Sequence, residues 1–226
     1  MEIGLVRLAV ACAAFVGSHI LLSGPLRRPL ARSLGARGFL AFYSLIAFVT
    51  LGWMIFAFDR APAGPVLWDG ATALPWALTS AMTLPALVLF LGSFSGNPAL
   101  PEANLAGLSA RKPWGIFRAT RHPMMMGIAL WAVSHVIVMP SARTALFNLS
   151  LAALALAGAA AQDRRKLAQN QREWSVWMAR TSFWPNPRAL AGMGALWAAG
   201  LLAWLAVTAA HLWLGKVPAG IWIVLR

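Results

Sequence analysis

Apolar residues run along this chain in long blocks, separated by short polar stretches. A helix needs about 20 mostly apolar residues to cross the hydrocarbon of a bilayer. Six blocks qualify: Gly4 to Ser23, Phe39 to Phe58, Leu74 to Phe94, Trp114 to Met139, Thr144 to Ala161 and Met193 to Leu214. Pro75 and Pro85 predict a kink in the third. The fourth opens with polar turns. Pro123 lacks an N–H and suits a first helical turn, so it divides that block into a surface piece, Trp114 to Thr120, and a spanning piece. The tail from Ile221 to Leu225 is too short to cross. The first block has its basic cluster after it rather than before it, and reads as a retained span, not a signal peptide. The pattern predicts an all-α, polytopic membrane helix bundle of about six transmembrane helices. It forms one domain over residues 1–226, with no linker, second soluble domain or internal repeat.

The polar stretches set the orientation, because Lys and Arg collect in cytoplasmic loops. Arg27, Arg28, Arg32 and Arg37 follow the first block. Arg111, Lys112, Arg118 and Arg121 precede or open the fourth. Arg164, Arg165, Lys166, Arg172, Arg180 and Arg188 follow the fifth. The alternate loops hold Arg60, offset by Asp59 and Asp69, and Arg143. Both termini are therefore expected on the periplasmic side of a bacterial inner (cytoplasmic) membrane. The polar region from Gln162 to Leu190 interleaves Trp174, Trp177, Phe183 and Trp184 with arginines. It reads either as an amphipathic segment on anionic headgroups or as a solvated loop with interface anchors.

Composition supports this class. The chain is 60% hydrophobic and 11% charged, where a soluble domain carries roughly 25% charged residues. The net charge of +13 would suggest nucleic acid in a soluble protein. Here the basic residues sit in short loops between spans, so the expected partner is the lipid bilayer and not nucleic acid. Cys12 is the only cysteine, which excludes a disulfide framework or a thiolate-rich metal site.

The candidate chemistry lies in four histidines: His19, His122, His135 and His211. Ionisable side chains inside a membrane are rare and usually functional, because hydrocarbon does not solvate them. The acidic residues Glu2, Asp59, Asp69, Glu102, Asp163 and Glu173 all lie outside the mid-span positions, which argues against a carboxylate metal site or a proton-pump chain. Histidine alone in an apolar cavity suits haem iron, with imidazoles as axial ligands and apolar walls around the macrocycle. At about 1.5 Å per residue, His135 lies roughly 20 Å deeper than His122. Depth pairs His19 with His122, and His135 with His211; a His19–His135 pair requires tilted helices. Arg118 and Arg121 are expected at the cytoplasmic headgroup region, where they meet either an anionic ligand or lipid phosphates. Met124, Met125 and Met126 read as a flexible apolar wall.

Several of these stretches carry a resemblance. Ser18-His19 followed by LLSGPLRRPL, FYSLIAFVTLGWMIFAF from Phe42, TRHPMMMGIALWAVSH from Thr120 and ARTSFWP from Ala179 resemble the NnrU family over nearly the whole chain. Its members are small polytopic bacterial membrane proteins associated with nitrite and nitric oxide reductase genes. The 15-cis-ζ-carotene isomerase belongs to the same superfamily and is implied to use haem b, held by histidines, to isomerise a double bond of a polyene. The resemblance implies haem b here, with His19 and His135 as the iron ligands and His122 and His211 as the remaining candidates. It implies either a lipophilic polyene substrate or a role as a haem-binding or assembly factor for a denitrification reductase. One departure concerns the cysteine just before the isomerase's second ligand: Trp131 to Ser134 contain none. Arg121-His122-Pro123 with Gly127 also resembles the isoprenylcysteine carboxyl methyltransferases, where the motif is implied to contribute to S-adenosylmethionine binding. Glu173, Trp174 and Trp177 before Pro185 weakly resemble that family's C-terminal pattern, but the second acidic residue of its pair is absent.

Overall fold

The computed structural model describes residues 3–101, 103–215 and 217–223. Eight α-helices form among them: α1 (Ile3–Ser23), α2 (Arg27–Arg60), α3 (Ala73–Gly92), α4 (Pro123–Val138), α5 (Ala142–Gln169), α6 (Gln171–Arg180), α7 (Pro187–Ala191) and α8 (Gly194–Leu214). The described residues contain no sheet, only an isolated antiparallel bridge between Val66 and Ser141.

Helices α1, α2, α3, α5 and α8 are long and apolar enough to cross a membrane. The sixth expected span is shorter. Its helix, α4, has 16 residues and starts at Pro123, while Gly115–Arg118 forms a separate 3-10 turn. Proline therefore divides the block as its missing N–H predicts. Other boundaries also follow from local chemistry. Ser141 Oγ accepts from the Thr144 N–H at the start of α5. Asn170 caps α6 through the Glu173 N–H. Asn186 caps α7, with Pro187 in its first turn. Each cap satisfies an amide that the helix itself leaves open.

Two expectations change. The arginine-rich stretch after the first span is helical rather than a loop, and joins the second span within α2. Gly35 lies between the two parts at φ +69°, ψ 170°, a conformation essentially reserved for glycine. Secondly, Trp174 and Trp177 are fully buried, not laid on headgroups or held in a solvated loop. α6 turns both indoles into a core with Phe117, Leu89 and Met126. Trp184 alone of these aromatics stays exposed.

The helices pack in the order α2, α1, α5, α4, α3, α8. Small residues allow the closest approaches. A Cβ on Gly127 of α4 would lie 2.7 Å from the Ala86 carbonyl oxygen of α3, and one on Gly200 of α8 would lie 2.5 Å from Val88 Cγ2. The start of α2 and the ends of α1 and α5 gather at one end of the bundle, together with the start of α4; it is called the basic end below. The opposite end holds the start of α3, the ends of α4 and α8, and the segment 217–223. Of the cavities that result, one towards each end is lined by histidine.

Candidate functional site

Three histidines share one local geometry. Nδ1 of His19 lies 2.8 Å from the Phe15 carbonyl oxygen. Nδ1 of His135 lies 2.8 Å from that of Trp131, and Nδ1 of His211 lies 2.7 Å from that of Val207. A carbonyl only accepts, so each Nδ1 carries the hydrogen and donates it. In the neutral ring the lone pair then sits on Nε2, which is how metal-binding imidazoles are oriented. The helix supplies this partner itself, because the carbonyl four residues back lies on the same face. The Phe15 ring packs at 4.4 Å from His19, and the Trp131 ring at 4.4 Å from His135.

Tertiary packing decides which of the rings meet. His135 and His211 line one cavity of about 360 Å³ at the opposite end. Its walls come from α3, α4 and α8, with Leu87, Trp131, Val138, Trp204 and Val207 supplying apolar surface and Thr79, Ser80 and Thr83 a thin polar strip. Segment 217–223 closes one side. Trp76 Nε1 donates to the Gly220 carbonyl at 2.9 Å, and Trp222 Nε1 donates to Thr208 Oγ1 at 3.1 Å. The tail is thus a folded cover, although too short to span; residues 224 and 225 lie outside the described residues. The pair brought together is the one that depth along the spans assigned.

His19 faces a different cavity, of about 410 Å³, towards the basic end and between α1, α2, α4 and α5. His19 and His135 therefore line no common cavity. Of the three methionines expected to form an apolar wall, only Met125 lines the His19 cavity, while Met126 is buried in the core.

His122 lines neither cavity and is buried. Its Nε2 lies 2.9 Å from Asp163 Oδ1 and its Nδ1 3.0 Å from Gln162 Oε1. Both nitrogens are thus engaged by α5. Arg121 next to it is buried as well, contrary to its expected place at the headgroups. Its guanidinium donates to Asp163 through Nε and through Nη2, the latter at 2.8 Å, and its Nη1 donates to the Thr181 carbonyl. Trp174 Nε1 gives Asp163 Oδ1 a further hydrogen bond at 3.1 Å. Thr120 Oγ1 donates to the Phe183 carbonyl, and the Arg121 N–H to that of Ser182. Arg121-His122-Pro123 is consequently a buckle that ties the start of α4 to α5, α6 and residues 181–183. Arg118 alone of the two arginines is exposed.

Asp163, Gln162 and Trp174 were not foreseen as its partners. Asp163 is the acidic residue just past the last apolar turn of α5, and only the packing of α5 against α4 aims it at His122. Glu173, the residue compared with the methyltransferase pattern, is half-buried and accepts the Ser109 N–H. No group of three or more His, Cys, Asp or Glu that could hold a metal ion occurs among the described residues.

The family described as NnrU protein matches residues 7–219, nearly the whole chain. The chain belongs to the NnrU family. No curated protein and no solved structure matches it. The match takes in all four histidines and the Arg121–Asp163 buckle, while Gly220 and Ile223 of the His135–His211 cavity lie beyond its end.

Proposed function

We propose that this NnrU-family protein is a multi-pass protein of the bacterial inner membrane that binds haem b through His135 and His211. The reading is carried by one observation: these are the two imidazoles that open on a single apolar cavity, each with Nδ1 tied to its own helix. That donor set fits haem iron, which takes paired imidazole Nε2 atoms in apolar surroundings. His135 and His211 would hold the iron, and bound haem would supply a redox-active metal centre. The resemblance had ranked His19 with His135; their placement on separate cavities favours the pair chosen here.

The chain's own part is to orient the ligands and exclude water. The carbonyls of Trp131 and Val207 fix the two rings. Trp204 and the 217–223 cover keep the cavity apolar, with Trp204 Nε1 satisfied by Thr83 Oγ1 at 2.9 Å. A lipophilic polyene is the substrate class suited to such walls, and double-bond isomerisation the reaction class the superfamily suggests. A supporting role towards a nitrite or nitric oxide reductase is the second reading of the same haem site. The methyltransferase reading has less support. Both nitrogens of the His122 ring are already engaged, and the Glu173 carboxylate is taken up by the Ser109 N–H.

The test is the absorption spectrum of the purified protein, oxidised and reduced. A Soret band with sharp α and β bands on reduction is expected. His135→Ala and His211→Ala should each abolish it, and His19→Ala should preserve it. A colourless preparation without iron would overturn the proposal; loss of the spectrum in His19→Ala would overturn the ligand choice. With haem present, turnover of a cis-carotene separates isomerase from supporting factor.

A further inference from the structure

The cavity that His19 faces is not used by the haem proposal, and its polar content has one sign. Arg27 from the start of α2 and Arg165 from the last turns of α5 both line it. The groups acting electrostatically on Arg165 are the Arg27 guanidinium and the Tyr43 phenol. Arg165 Nε is buried without a hydrogen-bond partner. Neither arginine makes an ion pair among the described residues, since Asp163, two residues before Arg165, is engaged by Arg121 and His122. No described lining residue is acidic. Tyr43, His19, Ser23 and Gln162 supply the uncharged polar lining, with the Tyr43 and His19 rings edge to face at 5.5 Å. Beyond the rim the walls are hydrocarbon: Leu151, Leu154, Ala155 and Gly158 of α5 against Phe15 and Ile128.

Two like-charged guanidiniums facing one recess repel each other, and a half-buried arginine N–H without an acceptor is costly. A ligand carrying an anionic head relieves both conditions through charge-assisted hydrogen bonds. The apolar depth beneath calls for a hydrocarbon tail on the same molecule. We infer that this cavity is a binding site for an anionic amphiphile, its phosphate or carboxylate between Arg27 and Arg165 and its chain along α5. Simple snorkelling of arginines to the bilayer surface would not bury an unpartnered Nε beside a second cation and an open recess. The site is separate from His135 and His211, so it stands whether or not haem binds there.

The head could come from a membrane phospholipid or from a free fatty acid. The full-length protein in detergent is delipidated and offered phosphatidylglycerol, phosphatidylcholine or palmitate separately, and the retained ligand is counted by native mass spectrometry. Phosphatidylglycerol is expected to be retained about tenfold better than phosphatidylcholine, whose choline cation cancels the charge of the same phosphate and is repelled by the two guanidiniums. Retention of palmitate in its place assigns the same site to a fatty acid. Arg27→Gln with Arg165→Gln should remove the preference, while Arg172→Gln, at an exposed residue of α6 outside the cavity, should leave it. Gly158→Leu tests the tail. A Cβ there meets only the Met125 thioether, at 3.7 Å and beyond, so the added chain enters the recess without touching backbone and should lower retention with both arginines present. Equal retention of the two phospholipids by the wild-type protein, with no retention of palmitate, overturns the inference without reference to any variant. A double arginine variant that keeps the preference also overturns it. So does one that loses a haem spectrum present in the wild type, because the arginines would then hold the haem propionates.

Discussion

At the scale of single residues, the structure separates histidines that are satisfied from histidines that are available. His122 is satisfied twice over, through Gln162 and Asp163, and its role is to lock the bundle. Removing one partner of a buried charged set leaves the others unpaired, which costs about 3–5 kcal/mol. Asp163→Asn should lower unfolding stability in detergent by that amount, followed by thermal or denaturant unfolding; an unchanged midpoint would show that the buckle is not structural. Trp174→Phe removes one hydrogen bond to Asp163 and should cost about 1 kcal/mol. Glu173 gives a pH signature. The Ser109 N–H holds its carboxyl below the usual carboxylate range. A depressed folded-state value makes the contact stabilising above the unfolded value, and it is lost as pH falls through the folded one. The protection factor of the Ser109 amide should therefore fall below about pH 4, and a protection factor constant through that range would remove Glu173 from this role.

At the scale of elements, backbone proximity is set by glycine. Gly127 brings α4 onto α3, and these helices carry His135 and much of the wall of the cavity proposed for haem. Gly127→Val would force carbon against the Ala86 carbonyl and should destabilise the bundle by about 1–3 kcal/mol. It should also broaden any haem spectrum by loosening the wall that presents His135. Gly35 acts differently, through its own backbone, with open space where a Cβ would go. Gly35→Ala should cost about 1–3 kcal/mol from conformational strain alone. Unfolding midpoints of the two variants measure both effects, and a neutral Gly35→Ala would show that the two parts of α2 straighten freely.

At the scale of the whole molecule, the two cavities lie towards opposite ends of the bundle and differ in charge. One has two imidazoles and apolar walls; the other has two arginines, a phenol and the single imidazole of His19. The proposed orientation places the arginine-lined cavity at the cytoplasmic face. In a Cys12→Ala background, Ser33→Cys should then resist an impermeant maleimide in intact spheroplasts, and Val66→Cys should label. The reverse pattern would invert the topology and move the haem site to the cytoplasmic half.

Much of this molecule was determined by the order of its residues alone. Apolar length, proline position and the placement of arginines are one-dimensional properties, and a bilayer reads them directly. The helices therefore fall close to where the apolar blocks lie, and Pro123 starts α4 as its chemistry requires. The backbone partner of each available histidine is equally local, since it lies four residues back on the same helix. Only the tertiary structure decided which helices adjoin. It turned Trp174 and Trp177 inward, aimed Asp163 at Arg121 and His122, and set His211 rather than His19 across a cavity from His135. Such neighbours come from distant parts of the chain, and side-chain contact between helices is fixed by small residues and packing that no single segment contains.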